Sequence, residues 1–285
     1  MLPLKHYLLF LLPLVLVSHM FSLSAQLPDG TRTTQEWIDE IKKNRDEEET
    51  LSYNAASVYY AAGLSITAYI VRDINGQASC DEDDIATAIS LLNHYFSTVN
   101  LTFRLASVQV VNDYHYGILE HEQAADELVK KHSEEKIINL YLVESIKVDT
   151  LPCYGYTFFP DDTIRNYIFL NQEMIRGNYL VTLMGHFLGL LSTHETLGGV
   201  ENVDESNCGE SGDFCCDTWA DPNLFGWVDT SCAYVGNHVD LWGEPYVPSV
   251  ANLMSDSRDE CKCIFTPYQY RRMLYYLKNY RDYLH

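Results

Sequence analysis

The chain has 285 residues, of which 40 are acidic and 19 are Lys or Arg, so its net charge is −21. A surface of this sign repels polyanions, and we therefore expect no nucleic acid among its partners. The length allows one large core or two lobes.

The first 25 residues have the pattern of a secretory signal peptide. Lys5 precedes an apolar run at 7–17, and small residues follow as far as Ala25. The run is interrupted by Pro13 and is shorter than the roughly 20 residues that a membrane-spanning helix needs. We therefore predict that residues 1–25 are removed, that the mature protein is secreted and that no later stretch spans a membrane.

Eight cysteines behind a signal peptide predict disulfides formed in an oxidising compartment. Most of them lie between 208 and 263, so we expect that region to be cross-linked. A cysteine metal cluster is the weaker interpretation, because the close cysteine pairs lack the two-residue gap of a zinc knuckle. The pairing stays open, and the candidates are Cys80, Cys153, Cys208, Cys215, Cys216, Cys232, Cys261 and Cys263.

The N-terminal third predicts a polar leader followed by alternating strands and helices. Residues 26–50 are polar, and we expect a mobile leader with a short helix at 37–41. A strand that runs into an Asn-Gly turn is predicted at 66–76. A helix is predicted at 81–96, because acidic residues open it and apolar residues recur on one face; these are Ile85, Ile89, Leu92 and Phe96.

The middle of the chain continues the same α/β pattern. Short apolar or alternating runs predict strands, and one amphipathic run predicts a helix. The strands are expected at 101–105 and 136–145, the helix at 124–132, and a hairpin or edge strand at 155–160 and 166–171.

A buried helix and an irregular region are predicted for the C-terminal half. Residues 179–191 are apolar nearly all round, which is typical of a buried helix. The composition then shifts to Gly, Asp, Asn, Pro and Cys, until a final helix begins with Pro267 in its first turn. We expect an α/β lobe, a central buried helix and a disulfide-bonded lobe.

The buried helix has the spacing of a zinc-peptidase helix but lacks most of its chemistry. In such a helix two His four residues apart reach one Zn²⁺, and the Glu after the first His polarises the bound water. The longer motif H-E-x-x-H-x-x-G-x-x-H adds a turn Gly and a third His. If His186 is the second His and Gly189 the turn Gly, the remaining positions hold Thr182, Leu183 and Ser192.

Several further blocks, in the same order, resemble the pappalysin family of metzincin zinc metallopeptidases. The blocks, between about Ile66 and Met273, are YIVRDING (69–76), CYGY (153–156), YIFL (167–170), GHFLGLLSTHE (185–195), NCGESGDFCCDTWADPNL (207–224) and NLMSDSRDECKCIFTPYQYRRM (252–273). The resemblance implies a metzincin-like (zincin) α/β fold with a twisted mixed sheet, a central active-site-type helix and an irregular disulfide-rich C-terminal lobe. It also implies a peptidase domain at 61–285 after a leader at 26–60.

Carried over by position, the resemblance places His186 where a zinc ligand stands, Gly189 at the turn and Met254 beneath the site. It also exposes departures from the family pattern. Thr182 and Ser192 replace two imidazole ligands, and Leu183 replaces the general base. Asp256 stands where the family has the Tyr of its Met-turn.

These departures favour an inactive protein. Loss of two of three ligands removes most of the metal affinity, since structural zinc is held by about 10–16 kcal/mol, and loss of a general base costs about 10²–10⁴ in rate. We therefore expect a pseudoenzyme that binds a protein or peptide without a cofactor. The alternative is an active zinc endopeptidase with a non-standard metal site, to which His186, His194 and Asp256 are candidates. A purely structural exoprotein is a third possibility.

Peptide binding needs neither zinc nor a base if the partner adds a strand to a sheet edge. The sequence indicates 166–174 as that edge, with Ile168 on it. The bound segment is expected to come from a partner or from the leader at 26–60. The alternative is that a loop covers this edge.

Overall fold

The structure is a computed structural model that describes residues 28–51, 63–120, 122–161 and 165–284. The predicted signal peptide at 1–25 and the predicted boundary between leader and peptidase domain at residue 60 lie outside the described residues. Among the helices that are described, none is long and apolar enough to cross a membrane.

A five-stranded mixed sheet lies at the centre of the fold. In the described residues the strands are β1 (Leu64–Val71), β2 (Phe103–Val111), β3 (Ile118–Leu119), β4 (Ile138–Val143), β5 (Ser145–Val148), β6 (Leu151–Cys153), β7 (Gly155–Tyr156) and β8 (Tyr167–Asn171). The central sheet has the order β2-β1-β4-β8-β7, and β3-β5-β6 form a second, smaller sheet. Only the β7–β8 pair is antiparallel among the pairs of the central sheet. The predicted mixed α/β architecture is confirmed.

Strands β1, β4 and β8 are buried over almost their whole length, which is typical of parallel strands with both faces covered. Alternate residues of β1 enter two different apolar clusters, with Ile66 and Ala68 in one and Tyr69 in the other. The sheet therefore separates two cores.

Helix α2 (Glu82–Phe96) covers one of these cores and lies close to its predicted position. Asp81 caps it, and the Asp81 and Asp84 side chains exchange hydrogen bonds with each other's backbone N–H groups. The predicted apolar face is buried. Helix α3 (Glu122–His132) begins slightly before the predicted helix and ends where it was expected.

Helix α4 (Tyr179–Phe187) is the buried central helix, and it ends earlier than predicted. Gly189 has a φ of +100°, which disfavours any residue with a Cβ. The Leu190 N–H then bonds the Gly185 carbonyl at 2.9 Å, which closes the helix end. A left-handed turn that starts within an apolar run gives no signal in the hydrophobic pattern.

The N-terminal segment packs against the domain. Helix α1 (Gln35–Thr50) is longer than the short helix expected at 37–41, and it buries Trp37 and Ile38. It packs on the C-terminal helix α5 (Pro267–Tyr280). Because its buried face is interrupted by polar residues, the sequence alone suggested a mobile leader.

The region after α4 is irregular and carries both disulfides of the described chain. They are Cys208–Cys216 and Cys232–Cys261. Disulfides are thus present in the region that the sequence predicted to be cross-linked, and the other four candidates, Cys80, Cys153, Cys215 and Cys263, are free thiols. Cys80 and Cys153 lie in the two separate cores, Cys215 is buried, and Cys263 is exposed.

The sheet edge is not where the sequence indicated. Ile168, in β8, pairs with Leu140 of β4, and Leu170 of β8 pairs with Gly155 of β7. The prediction that 166–174 forms the edge is therefore wrong. The hairpin interpretation is correct, and β7 is the outer strand of this hairpin.

Candidate functional site

Helix α4 presents the residues at the ligand positions to a closed interior. Thr182 is buried, and its Oγ1 donates a 2.8 Å hydrogen bond to the Leu253 carbonyl. The same oxygen accepts a 3.4 Å hydrogen bond from Lys262 Nζ. The hydroxyl at the first ligand position is thus bonded on both sides.

His186, at the second ligand position, uses both ring nitrogens within the protein. Its Nδ1 donates to the Leu190 carbonyl at 2.7 Å, and its Nε2 lies 3.1 Å from Asp29 Oδ2. Burial of His186 disfavours the charged ring, but Asp29 and the Leu190 carbonyl outweigh burial, so the pKa of His186 is raised. The surroundings of the ring therefore favour its charged form.

Asp29 comes from the N-terminal segment and is anchored from three sides. Thr31 N–H donates to Oδ1 at 2.5 Å, and the Tyr154 hydroxyl donates to Oδ2 at 2.8 Å. Burial of Asp29 raises its carboxyl pKa, but His186 and Thr31 together outweigh burial, and the net pKa is lowered. Asp29 and His186 thus form a buried ion pair.

The backbone around Asp29 has no regular secondary structure, but it runs beside β7 and forms hydrogen bonds with this part of the chain. Gly30 N–H donates to the Gly155 carbonyl at 2.9 Å, and Tyr154 N–H donates to the Pro28 carbonyl at 3.1 Å. Thr157 N–H donates to Thr31 Oγ1 at 3.2 Å. The outer edge of the hairpin is therefore occupied by the chain's own segment.

The close packing of residues 28–31, β7 and α4 requires glycine at positions 30 and 155. A Cβ on Gly30 would lie 2.6 Å from Cys153 Sγ, and a Cβ on Gly155 would lie 2.6 Å from Leu183 Cδ1. Leu183, at the position of the general base, is fully buried. Its side chain fills the space beneath the strand edge.

The turn Gly and the Met-turn Met are packing residues. Met254 is buried, and its Sδ would lie 2.5 Å from a Cβ on Gly185, the residue before His186. A Cβ on Gly189 would lie 2.7 Å from the Tyr276 ring. Met254 thus packs beneath α4, next to the second ligand position.

Ser192, at the third ligand position, lines a polar cavity of about 440 Å³ together with Asp29, His194 and Asp256. His194 Nε2 lies 3.5 Å from Asp256 Oδ2. The neighbouring Thr193 is buried, and its Oγ1 donates a hydrogen bond to Asp221 Oδ2 at 2.6 Å. Burial raises the pKa of Asp221, and the nearby His194 opposes this without cancelling it.

A larger cavity of about 950 Å³ continues along the same edge, between α1 and the residues that follow β7. Aromatic side chains form much of its lining, among them Trp37, Tyr156, Phe158 and Phe159. Charged residues that also line it form ion pairs, such as Lys147 with Glu120. The cavity is therefore lined by both aromatic and charged side chains.

Lys262 is buried next to α4, although neither periodicity nor a motif pointed to it. Its Nζ lies 3.7 Å from Asp259 Oδ1 and 5.4 Å from the centre of the Tyr179 ring. Burial lowers the pKa of Lys262, and Asp259, Asp256 and Asp29 oppose this shift without cancelling it. Asp29 was equally invisible in the sequence, since it lies in a polar stretch expected to be mobile.

The residues at the ligand positions do not fit a zinc ion. Zinc in proteins is held by neutral imidazole, thiolate or carboxylate ligands in tetrahedral arrangement. Here Thr182 offers a hydroxyl that is already bonded, and both ring nitrogens of His186 face protein oxygens, Nδ1 the Leu190 carbonyl and Nε2 the Asp29 carboxylate. The described residues contain no group of three or more His, Cys, Asp or Glu that could hold a metal ion.

Comparison with known proteins relates the chain to metallopeptidases. It is 23% identical over 269 residues to an extracellular metalloprotease of Arthroderma gypseum (strain ATCC MYA-4604 / CBS 118893), with 88% of this chain and 84% of the relative covered. No protein-family model matches the chain. The narrower assignment to the pappalysin family remains a prediction.

Two solved structures show weak likeness. The archaemetzincin of Methanopyrus kandleri has a TM-score of 0.35 at 13% identity, covering 46% of this chain and 76% of that one. Metalloproteinase-II of Bacteroides fragilis has a TM-score of 0.33 at 11% identity, covering 66% of each chain. At these TM-scores the likeness supports no conclusion about the site.

Proposed function

We propose that this chain is a secreted, pappalysin-type pseudoenzyme that binds an extended peptide along β7 and does not hydrolyse it. The observation that carries the proposal is the pairing of residues 28–31 with the outer edge of β7. The metalloprotease relative supports the class of protein and is extracellular by description.

Strand addition explains how a cleft can bind a peptide without a metal. Backbone hydrogen bonds supply affinity in this mode, and pockets for alternate side chains supply selectivity. The chain's own segment already makes such bonds at Tyr154 and Gly155. The aromatic cavity beside this edge offers room for the side chains of a longer peptide.

Because the segment lies on the edge, a partner peptide has to displace it. The measured affinity is then the intrinsic affinity reduced by the fraction of molecules in which the edge is open. The Asp29–His186 pair sets that fraction, since it anchors the segment at its centre. Weakening this pair should therefore increase the affinity for an added peptide.

The residue chemistry supports the proposed absence of peptidase activity. Leu183 carries no group that exchanges a proton, and it is fully buried. General-base assistance typically contributes about 10²–10⁴ in rate. A hydrolytic mechanism would need a base from elsewhere in the cleft.

A second candidate function, an active zinc endopeptidase with a non-standard site, draws on one observation. His194 and Asp256 face each other at 3.5 Å and line the polar cavity with Asp29. If this candidate is correct, the wild-type protein cleaves members of a peptide library and a chelator abolishes the cleavage. We expect no chelator-sensitive cleavage.

Peptide binding is tested with a synthetic, fluorescently labelled copy of residues 26–34 as the probe. The Asp29→Ala chain should bind it at least about fivefold more tightly than the wild type, because the internal competitor is weakened. Asp39→Ala, which removes an exposed carboxylate of α1, is the matched control and should leave the affinity unchanged.

A probe with Gly30→Pro lacks the N–H that pairs with Gly155 and should bind at least about tenfold more weakly. If the two probes bind equally well, or if neither chain binds the unmodified probe, strand addition at β7 is wrong.

A further inference from the structure

We infer that the irregular region after α4 carries a docking surface for a polypeptide that combines basic with apolar side chains. The surface consists of two short loops, 227–235 and 238–246, called the first loop and the second loop below. Neither of the two cavities described above is lined by a residue of these loops. The inference therefore goes beyond the proposed function at β7.

Large apolar side chains are exposed on both loops. Leu241 is 80% exposed and Trp242 is 77% exposed, near the tip of the second loop. Further exposed apolar side chains on the two loops are Trp227, Val235 and Val239. Single exposed apolar residues are ordinary, but a group of them that includes Trp is typical of a surface that binds a partner.

His238 joins the two loops into one surface. Its ring stands perpendicular to that of Trp227, with 4.9 Å between the ring centres, and its Nδ1 lies 2.7 Å from the Tyr234 hydroxyl. Its carbonyl accepts a hydrogen bond from Tyr246 N–H at 3.1 Å, within the second loop. The first loop therefore packs beside the second.

The backbone at the tip of the second loop is held by the buried Asp240. Its Oδ1 accepts hydrogen bonds from Trp242 N–H at 2.8 Å and from Glu244 N–H at 2.9 Å. Its Oδ2 accepts one from Val203 N–H at 3.1 Å. Gly243 adopts the left-handed φ of +88° in this turn. A backbone that is already ordered loses little entropy when a partner binds.

The charge around the loops indicates the chemistry of the partner. Residues 177–257 contain twelve Asp or Glu and no Lys or Arg. Glu244 is exposed in the second loop. Asp204 and Glu205 are also exposed, directly after Val203, which bonds to this loop. Such a field attracts a positively charged partner, whose Lys or Arg side chains can also stack on the exposed Trp rings.

The same charge argues against two other occupants. A second copy of the chain would bring one acidic region against another, and a membrane with anionic lipids would be repelled. A basic polypeptide with apolar side chains matches both the charge and the exposed Trp and Leu of this surface.

The test uses three labelled synthetic peptides of equal length. The first contains only Lys and Leu, with the Leu residues on one face of a helix. In the second peptide Glu replaces every Lys, and in the third Ser replaces every Leu. The Lys/Leu peptide should bind the wild-type protein at least about tenfold more tightly than either of the others, because it alone combines positive charge with apolar side chains.

Variants of the protein locate the binding site. Trp242→Ser should weaken binding of the Lys/Leu peptide at least about tenfold, since Trp is prominent among the residues that dominate interfaces. Ile74→Ser is the matched control, because it removes an apolar side chain that is 72% exposed, and it should leave the affinity unchanged. Glu244→Gln should weaken binding about two- to threefold and reduce its dependence on salt. All three positions are exposed, so the melting temperatures should equal that of the wild type.

Equal affinity of Trp242→Ser and the wild type for the Lys/Leu peptide would overturn the inference, as would equal binding of the three peptides. If the Lys/Leu peptide does not bind, but Trp242→Ser abolishes binding to phosphatidylcholine vesicles or self-association in sedimentation, the surface serves a membrane or a second copy and the inference is wrong. Asp29→Ala combined with Trp242→Ser should bind the labelled copy of residues 26–34 as tightly as Asp29→Ala alone. Failure of this inference is thus distinguishable from failure of the proposal at β7.

Discussion

Asp29 and His186 form a buried ion pair, with Oδ2 of the carboxylate 3.1 Å from Nε2 of the ring. One partner lies at the start of the described chain and the other on the central helix. The pair therefore fastens the N-terminal segment across the cleft.

Breaking this pair should destabilise the protein. We expect Asp29→Ala to lower the free energy of unfolding by about 1–3 kcal/mol, because His186 loses its counter-charge in the interior. This loss of stability is smaller than for a buried pair in a rigid core, because residues 28–31 can detach locally and let water reach His186. Chemical denaturation measures the effect, and Asp39→Ala should stay within about 0.5 kcal/mol of the wild type. Equal stability of the two variants would contradict a buried pair.

Helix α1 should depend on a second buried pair. Arg272 Nε lies 2.9 Å from Glu48 Oε2, and both side chains are fully buried. Glu48→Ala should cost about 3–5 kcal/mol, since it removes the carboxylate that is paired with the buried Arg272 guanidinium. Asp46→Ala, an exposed position on the same helix, is the control. A cost below about 1 kcal/mol for Glu48→Ala would show that α1 is held by other contacts.

Glu201 should make stability depend on pH. It is buried, neither carboxylate oxygen has a hydrogen-bond partner among the described residues, and burial together with Asp213, Glu205 and Asp221 raises its pKa to about 8. The folded state therefore keeps the proton of Glu201 at pH values above 4.5, where the unfolded state loses it. Its stabilising contribution is therefore fully present below about pH 4.5 and is lost as the pH rises towards 8.

Glu201→Gln removes this titration. The variant should be about 2 kcal/mol more stable than the wild type near pH 8.5, and the difference should vanish towards pH 5. Denaturation curves at several pH values provide the measurement, with exposed Glu210→Gln as the control. A loss of stability at every pH would show that the folded protein holds Glu201 in its charged form.

Half of the eight cysteines should carry free thiols. A thiol reagent should count four thiols in denaturant, because two disulfides form and four cysteines stay reduced. In the folded protein Cys263 should react first, since it is exposed while the other three are buried. A count of zero in denaturant would mean that all eight cysteines pair.

Periodicity predicted the elements that follow simple patterns. The apolar face of α2 and the buried strand β4 were both predicted, because each depends on local spacing and burial. The sequence wrongly placed β8 at the edge of the sheet, because a five-residue apolar strand has the same pattern at an edge as in the interior. Its position was decided by pairing with β4 and β7, which is a property of distant residues.

The site was predictable where it follows a motif and unpredictable where it depends on contacts across the chain. His186, Thr182 and Leu183 were indicated by spacing on one helix, and the structure places all three in the interior. Asp29 and Lys262 were not indicated, because their roles arise from contacts with residues far away in sequence. A single sequence carries no local signal for such contacts.

We propose that the chain's own side chains close this cleft and that it holds no zinc. The zinc content of the wild-type protein tests this directly. The protein is purified, exposed to excess zinc, dialysed without chelator and analysed for metal per chain. We expect far less than one zinc per chain, because His186 is paired with Asp29 and Thr182 is bonded to Leu253 and Lys262. About one tightly held zinc per chain would contradict it.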